Sequence, residues 1–171
     1  KEEAPFKGCI YFGLMLTKQG VKVIEYNCRF GDPEAQTVLP MLRSDLLDIM
    51  MATEEGRIDK VHVEFKDGAS CCVVIASGGY PKEYIKGYDI DFSELFGSAP
   101  AAQEKVGFEA DSGITVFHAG TTVTHENGDS VYRTNGGRVL NVVATADTLE
   151  DAIEKAYKAA RKIKFKDIFF R

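Results

Sequence analysis

Residues 21–34 constrain the fold of this chain most strongly, because they join a strand pattern to a tight turn and the start of a helix. Side chains along a strand point alternately to its two faces. The alternation predicts that Glu25, Asn27 and Arg29 share one face, in a row with Val23. The opposite face is apolar and carries Ile24, Tyr26, Cys28 and Phe30. A carboxylate, an amide and a guanidinium are therefore predicted to stand side by side on an apolar backing.

The polar face of this strand has the residue types of a cation and phosphate site. The carboxylate oxygen of Glu25 and the amide oxygen of Asn27 suit a hard divalent cation such as Mg²⁺, which prefers oxygen ligands and shares them with phosphates. The planar guanidinium of Arg29 fits a phosphate or a carboxylate. The spacing alone leaves two interpretations open, because a solvent-facing strand with ordinary ion pairs would show the same pattern.

The turn after the strand has the residues of a helix start. Gly31 permits a sharp change of direction, and Asp32 is predicted as the N-cap. Pro33 suits the first helical position, and Glu34 lies where the helix dipole favours an anion. Two helices are predicted, over residues 33–39 and 44–55, the second with Ser44 or Asp45 as its cap. A hairpin that pairs residues 8–16 with 21–29 precedes them.

The totals exclude several classes of protein. The chain has 171 residues, of which 44% are hydrophobic, and this is enough for a buried core. The formal net charge of -5 gives no reason to expect a nucleic acid or an anionic membrane as a partner. No apolar run reaches the length of a membrane span. The four cysteines form no C-x-x-C pair, which favours reduced thiols and a cytoplasmic location.

Short alternating runs replace the helical pattern after residue 57, which divides the chain into residues 1–57 and 58–171. Strands are predicted over residues 61–65, 69–77, 114–118, 121–124, 130–134 and 138–146. The Asn127-Gly128-Asp129 turn signals a hairpin, and residues 100–113 are predicted as an exposed loop. Thr148 is predicted to cap a helix over residues 149–163. Its apolar face would carry Leu149, Ala152, Ile153, Ala156, Tyr157 and Ala160.

These elements predict an α+β chain with an incomplete first part. Residues 1–57 supply only a hairpin and two helices, which is too little to bury their own apolar faces. We therefore expect that the domain to which they belong begins upstream of Lys1.

Several ordered motifs resemble the glycinamide ribonucleotide synthetase family of ATP-grasp ligases. The match begins with GCIYFGLMLT at residues 8–17 and VIEYNCRFGDPEAQ at residues 23–36. It continues with VLP at 38–40, SDL at 44–46, ASGGYP at 76–81, VFHAGT at 116–121 and TNGGRVL at 134–140. E-x-N-x-R alone indicates only the ATP-grasp superfamily. Together with the G-D-P-E and G-G-R-V-L blocks it indicates this family.

The resemblance implies a fold for each part of the chain. Residues 1–57 would be the C-terminal portion of an ATP-grasp domain, with antiparallel strands and helices. Residues 58–171 would be the family's small C-terminal domain, which is β-rich, barrel-like or sandwich-like, and has a helix near its end. Most of the family's ATP-binding half lies outside this sequence. The remainder of the same polypeptide is therefore the expected partner, and the chain alone is expected to be inactive.

The resemblance also implies a reaction in purine synthesis. ATP activates glycine as glycyl phosphate, and the amine of 5-phosphoribosylamine displaces phosphate to give glycinamide ribonucleotide. Glu25 and Asn27 look like the ligands of Mg²⁺ or Mn²⁺ that bridge the ATP phosphates. Arg29 would stabilise the transferred phosphoryl group or the acyl phosphate.

Further residues are candidates for binding the substrates. Asp32 and Glu34 would contact the substrate amine or ribose, although their positions at a helix start explain both without any substrate. Arg138 follows two glycines, whose amides can hold an anion together with a guanidinium. The resemblance suggests that it lies near the phosphoribosyl group, but a surface Arg at a strand start would look the same. His118 is expected to make a structural hydrogen bond rather than to act as a general base.

Two other functions fit parts of the pattern. Another ATP-grasp enzyme, such as a biotin-dependent or a purine carboxylase, would share E-x-N-x-R, but the G-D-P-E and H-A-G-T blocks fit the glycine ligase better. A non-catalytic binding module that kept the fold would have no need for Glu25, Asn27 and Arg29 together.

Overall fold

A computed structural model of the chain describes residues 6–96, 108–110, 113–126 and 129–170. The chain forms two compact units, Lys1–Lys66 and Asp67–Arg171. Helices and strands are mixed in it, which confirms the predicted α+β class. In the described parts of the chain, every helix is too short or too polar to cross a membrane.

The first unit begins with an antiparallel hairpin, as predicted. Its strands are β1 (Tyr11–Thr17) and β2 (Gly20–Asn27). The helices that follow are α1 (Glu34–Val38), α2 (Leu46–Glu54) and two short 3₁₀ helices, Leu39–Met41 and Ile58–Lys60. Asp45 caps α2, because its carboxylate accepts a hydrogen bond from Leu47 N at 2.7 Å.

The predicted strand over residues 61–65 does not form. Phe65 makes a single antiparallel bridge with Leu42, and Glu64 O accepts a hydrogen bond from Arg43 N at 2.9 Å. The segment is extended, but its partner turns into α2 a few residues after Leu42. The pairing is therefore too short for a strand.

The second unit is a five-stranded antiparallel sheet with a helix packed on it and a separate hairpin. The strand order is β4-β5-β8-β3-β9. The elements in chain order are β3 (Ala69–Ser77), α3 (Ser93–Phe96), β4 (Phe108–Ala110), β5 (Ile114–His118), β6 (Thr121–Glu126), β7 (Asp129–Thr134), β8 (Arg138–Ala146), α4 (Leu149–Ala160) and β9 (Ile168–Phe169). β6 and β7 pair as the predicted hairpin, whose turn residues 127–128 lie outside the described part.

β8 lies at the centre of the sheet, between β5 and β3, and residues 139–144 are all buried. Two of the largest fully buried side chains, Val116 and Ile75, come from its two neighbours. The predicted loop over residues 100–113 contains β4, which pairs with β5; residues 97–107 and 111–112 lie outside the described part. The core of this unit therefore lies between the sheet and α4.

α4 begins as predicted, because Thr148 Oγ1 accepts a hydrogen bond from Asp151 N at 3.2 Å. Its buried face is narrower than predicted. The buried residues are Ala152, Ala156, Ala159 and Ala160, while Leu149 and Ile153 are 52% and 40% exposed. Alanine side chains let a helix approach a sheet closely, and the larger residues are left at the edge of the contact.

Candidate functional site

The β1–β2 hairpin positions the residues of the predicted cation site. Tyr11 lies directly opposite Asn27, and Gly13 lies directly opposite Glu25. Directly opposed residues of an antiparallel pair share a face of the sheet. The register shifts after Gly13, so that Leu14 pairs with Val23 and Ile24 becomes the extra residue of a bulge. A bulge redirects the side chains beside it, and here it adjoins Glu25.

Glu25 and Asn27 are in contact. Asn27 Nδ2 donates a hydrogen bond to Glu25 Oε1 at 3.0 Å, so both side chains project from the same face of β2. One carboxylate and one amide are hard oxygen donors that fit Mg²⁺ or Mn²⁺. In the described residues, no three His, Cys, Asp or Glu side chains lie close enough together to hold a metal ion.

Arg29 lies beyond the end of β2, whose last residue is Asn27. The strand therefore ends two residues earlier than predicted. Strand alternation does not decide the direction of the Arg29 side chain. Its Nη1 donates a hydrogen bond to the backbone carbonyl of Phe30 at 2.7 Å. The guanidinium is tied to the turn that follows the strand.

Asp32 is not the N-cap of α1. That position belongs to Pro33, and the first helical residue is Glu34. The carboxylate of Asp32 instead accepts a hydrogen bond from Gln36 Nε2 at 2.9 Å. The turn before α1 is closed by backbone bonding instead, because Ala35 N donates to Gly31 O at 3.0 Å.

A hydrogen bond that no sequence pattern predicts joins Glu34 to the β1–β2 hairpin. Tyr11 Oη donates to Glu34 Oε1 at 3.1 Å. This hydrogen bond raises the pKa of Tyr11, because the hydroxyl proton is held by the carboxylate; burial and the charges of Glu34 and Glu25 act in the same direction. Tyr11 stands in the motif at residues 8–17, but no spacing rule connects it with a residue on α1.

In the second unit, three glycine-containing segments of the motifs meet. Gly136 and Gly120 pack backbone against backbone, and a Cβ on Gly120 would lie 2.5 Å from the Cα of Gly136. Ser77 is buried and donates from Oγ to Gly136 O at 2.9 Å. The ring of Tyr80 occupies the space that a side chain on Gly137 would need. The segments at 76–81, 116–121 and 134–140 therefore form one cluster.

This glycine cluster holds the backbone of Arg138. The carbonyl of Arg138 accepts a hydrogen bond from Gly120 N at 2.8 Å, and Arg138 in β8 pairs with Ala76 in β3. The side chain is partly buried. The glycines thus let three backbone segments approach one another closely. Arg138 is the first residue of β8 and follows directly after this contact.

His118 has the structural surroundings expected from the sequence. Its Nδ1 lies 2.9 Å from Thr121 Oγ1, and its ring stacks on Tyr132 with the centroids 5.0 Å apart. Burial lowers the pKa of this imidazole, since the charged form is poorly solvated there.

The lowered pKa of His118 predicts a pH-dependent stability. The unfolded chain, with a His pKa of about 6.5, binds the proton more tightly than the folded chain. The contribution of neutral His118 to the free energy of unfolding is therefore complete above about pH 6.5 and is lost as the pH falls through the folded pKa. Urea unfolding between pH 5 and pH 8 should show that the free energy of unfolding decreases as the pH falls. His118→Gln should make this pH dependence weaker, whereas His125→Gln, at an exposed residue, should leave it unchanged. An equal pH dependence in all three proteins would contradict the prediction.

Comparison with known proteins supports one family. The family model "Phosphoribosylglycinamide synthetase, C domain" matches residues 70–171, and the model of that enzyme's ATP-grasp (A) domain matches residues 1–35. A phosphoribosylamine–glycine ligase from Caldanaerobacter subterraneus is 42% identical over all of this chain, which covers 36% of that protein. A bifunctional purine biosynthetic protein from Pichia angusta is 46% identical, and the chain covers 20% of it.

A solved structure agrees with these relatives. The crystal structure of phosphoribosylamine–glycine ligase from Thermotoga maritima matches with a TM-score of 0.69 and 31% identity, over 95% of this chain and 35% of that one. This chain thus spans about a third of the length of the single-function relatives named here. The C-domain model alone accounts for more than half of the residues, and the chain belongs to the phosphoribosylglycinamide synthetase family.

Proposed function

We propose that this chain is the C-terminal part of a cytoplasmic ATP-dependent carbon–nitrogen ligase that joins glycine to 5-phosphoribosylamine in de novo purine biosynthesis. An oxygen of the glycine carboxylate attacks the γ-phosphorus of ATP, and ADP leaves. The amine nitrogen of 5-phosphoribosylamine then attacks the carbonyl carbon of glycyl phosphate. The amide bond forms, phosphate leaves with its bridging oxygen, and the amine gives up a proton.

The contact between Glu25 and Asn27 carries this proposal, because it presents two oxygen donors on a strand that the family model includes. These two residues would hold Mg²⁺ or Mn²⁺. When bound, such a cation neutralises charge on the ATP phosphates. Glu25 and Asn27 project from one strand, so the strand itself sets the spacing of the two ligands.

The other residues supply charge around the reacting groups. Arg29, tied to the Phe30 carbonyl, would place a fixed positive charge beside the transferred phosphoryl group. Asp32 and Glu34 would attract the substrate amine or bind a ribose hydroxyl. Arg138 would bind the phosphate of the phosphoribosyl group, on a backbone that the glycine cluster holds in place.

The domain assignment is part of the same proposal. Residues 1–57 would complete an ATP-grasp domain, and residues 58–171 would form the family's C-terminal domain. The remainder of the polypeptide would supply the rest of the ATP site. ATP binding by the 171-residue chain alone should therefore be weak.

The function is tested by assaying a protein of the relatives' length that carries this chain. ATP cleavage should require both glycine and 5-phosphoribosylamine, and glycinamide ribonucleotide should form in equal amount to ADP. ATP cleavage that depends on bicarbonate would support a carboxylase instead. A folded protein that cleaves no ATP with any of these substrates would support the non-catalytic module.

Arg138 offers a substrate-specific prediction. In the same full-length protein, Arg138→Met should raise the KM for 5-phosphoribosylamine by about 10- to 100-fold, since a charge-assisted hydrogen bond to phosphate is lost. The KM values for ATP and glycine should change little. Arg161→Met, at an exposed arginine of the same unit, is the matched control. Equal effects of the two substitutions would contradict the role of Arg138.

A further inference from the structure

The hydrogen bond between Tyr11 and Glu34 joins the start of β1 to the first turn of α1. The phenol donates to Oε1 across a separation of 23 residues, in a partly buried place. Tyr11 is the directly opposed partner of Asn27, so its ring stands on the hairpin face that carries the Glu25–Asn27 pair. The bond thus brings the Glu34 carboxylate next to that face, although Glu34 belongs to a different element.

Glycines make room for both carboxylates of this face. A Cβ on Gly13 would lie 2.9 Å from Cγ of Glu25. A Cβ on Gly31 would approach Oε2 of Glu34 more closely than any real Cβ contact allows. Neither side chain could keep its present position over an alanine. The Tyr11 hydroxyl therefore holds Glu34 at Oε1, and the absence of a side chain on Gly31 leaves the space that Oε2 occupies.

We propose that Tyr11 is a positioning residue that holds the Glu34 carboxylate ready for the amine of 5-phosphoribosylamine. A free Glu side chain samples many rotamers, and ordering it at the moment of binding weakens affinity. The hydrogen bond from the phenol restricts it in advance, beside the Glu25–Asn27 pair, where the amine must meet the activated carboxyl group. This inference rests on the proposed ligase function and on the binding role of Glu34.

A double-mutant cycle in the full-length protein tests the link. Tyr11→Phe removes only the hydroxyl and should raise the KM for 5-phosphoribosylamine about five- to tenfold, with less than a twofold change in the KM for ATP. Glu34→Gln should raise the same KM by at least as much. The double variant should match Glu34→Gln alone, because the hydroxyl acts only through that carboxylate. Gly31→Ala, which displaces Oε2, should raise the same KM.

Tyr26→Phe is the matched control, since Tyr26 lies in the same hairpin and is 65% exposed; it should leave every constant unchanged. Multiplicative effects of Tyr11→Phe and Glu34→Gln, or an unchanged KM in Tyr11→Phe, would overturn the positioning role while the ligase function stands. An unchanged KM in Glu34→Gln would overturn both the role of Glu34 and that of Tyr11. A wild-type protein without ligase activity would overturn the proposed function, and this inference with it.

Discussion

Replacing Asn27 with Ala in the full-length protein should lower kcat by about 100-fold or more, a loss typical of removing one preorganised electrostatic contact in an active site. Asn27 and Glu25 share a face of β2, and Asn27 Nδ2 lies 3.0 Å from Glu25 Oε1. The substitution leaves Glu25 as the only ligand of this pair. Negative charge on the phosphates would then be compensated less well as the phosphoryl group is transferred. Steady-state kinetics with saturating glycine, 5-phosphoribosylamine and ATP measures the loss.

Two further variants separate this role from a general effect on the hairpin. Gln19→Ala removes an amide of similar chemistry from the turn between β1 and β2 and should leave kcat unchanged. Asn27→Asp keeps an oxygen donor and should retain more activity than Asn27→Ala. The far-ultraviolet circular dichroism of all variants should match that of the wild type. Unchanged turnover in a folded Asn27→Ala protein would remove Asn27 from the metal site.

Replacing Gly120 with Ala should destabilise the second unit by about 3 kcal/mol, at the upper end of the usual cost of overpacking. The added Cβ would lie 2.5 Å from Gly136 Cα and 2.6 Å from Arg138 O, and both of these atoms belong to backbone. Backbone atoms cannot move aside as the end of a flexible side chain can. The glycine cluster would open, and Gly120 N would lose its hydrogen bond to Arg138 O.

Urea unfolding of the chain, followed by circular dichroism, measures this cost. Gly87→Ala is the control, because Gly87 has a φ of +87° but open space around its Cβ position. Its cost is that of the backbone conformation alone, about 1 kcal/mol. A Gly120→Ala protein that is as stable as Gly87→Ala would show that the close contact between residues 120 and 136 does not constrain this unit.

Local patterns in the sequence predicted most elements of the structure. The β1–β2 hairpin and the caps Asp45 and Thr148 follow from interactions between near neighbours in the chain, and the strands around β8 were predicted from their apolar runs. The prediction failed where a competing contact decided the outcome. Asp32 pairs with Gln36 instead of capping α1, and the bridge at Phe65 stays too short for a strand because its partner turns into α2.

The family was readable from ordered motifs, but their arrangement in space was not. Gly120 and Gly136 lie at the two ends of the predicted β6–β7 hairpin, but no local pattern indicates that the block around Gly78 packs against them. β4 escaped prediction for the same reason, since its pairing with β5 is visible only in the folded sheet. Strand alternation places Arg29 on the face of Glu25 and Asn27, whereas β2 ends before it.

The sequence by itself determined that Glu25 and Asn27 share a face, because the two-residue period of a strand is a local property of the backbone. It also determined the family, through the motifs around them. Only the tertiary structure decided that the Tyr11 hydroxyl holds the Glu34 carboxylate and that three glycine segments hold the backbone of Arg138. These contacts join residues far apart in the chain, and they depend on distances that packing sets and spacing does not encode.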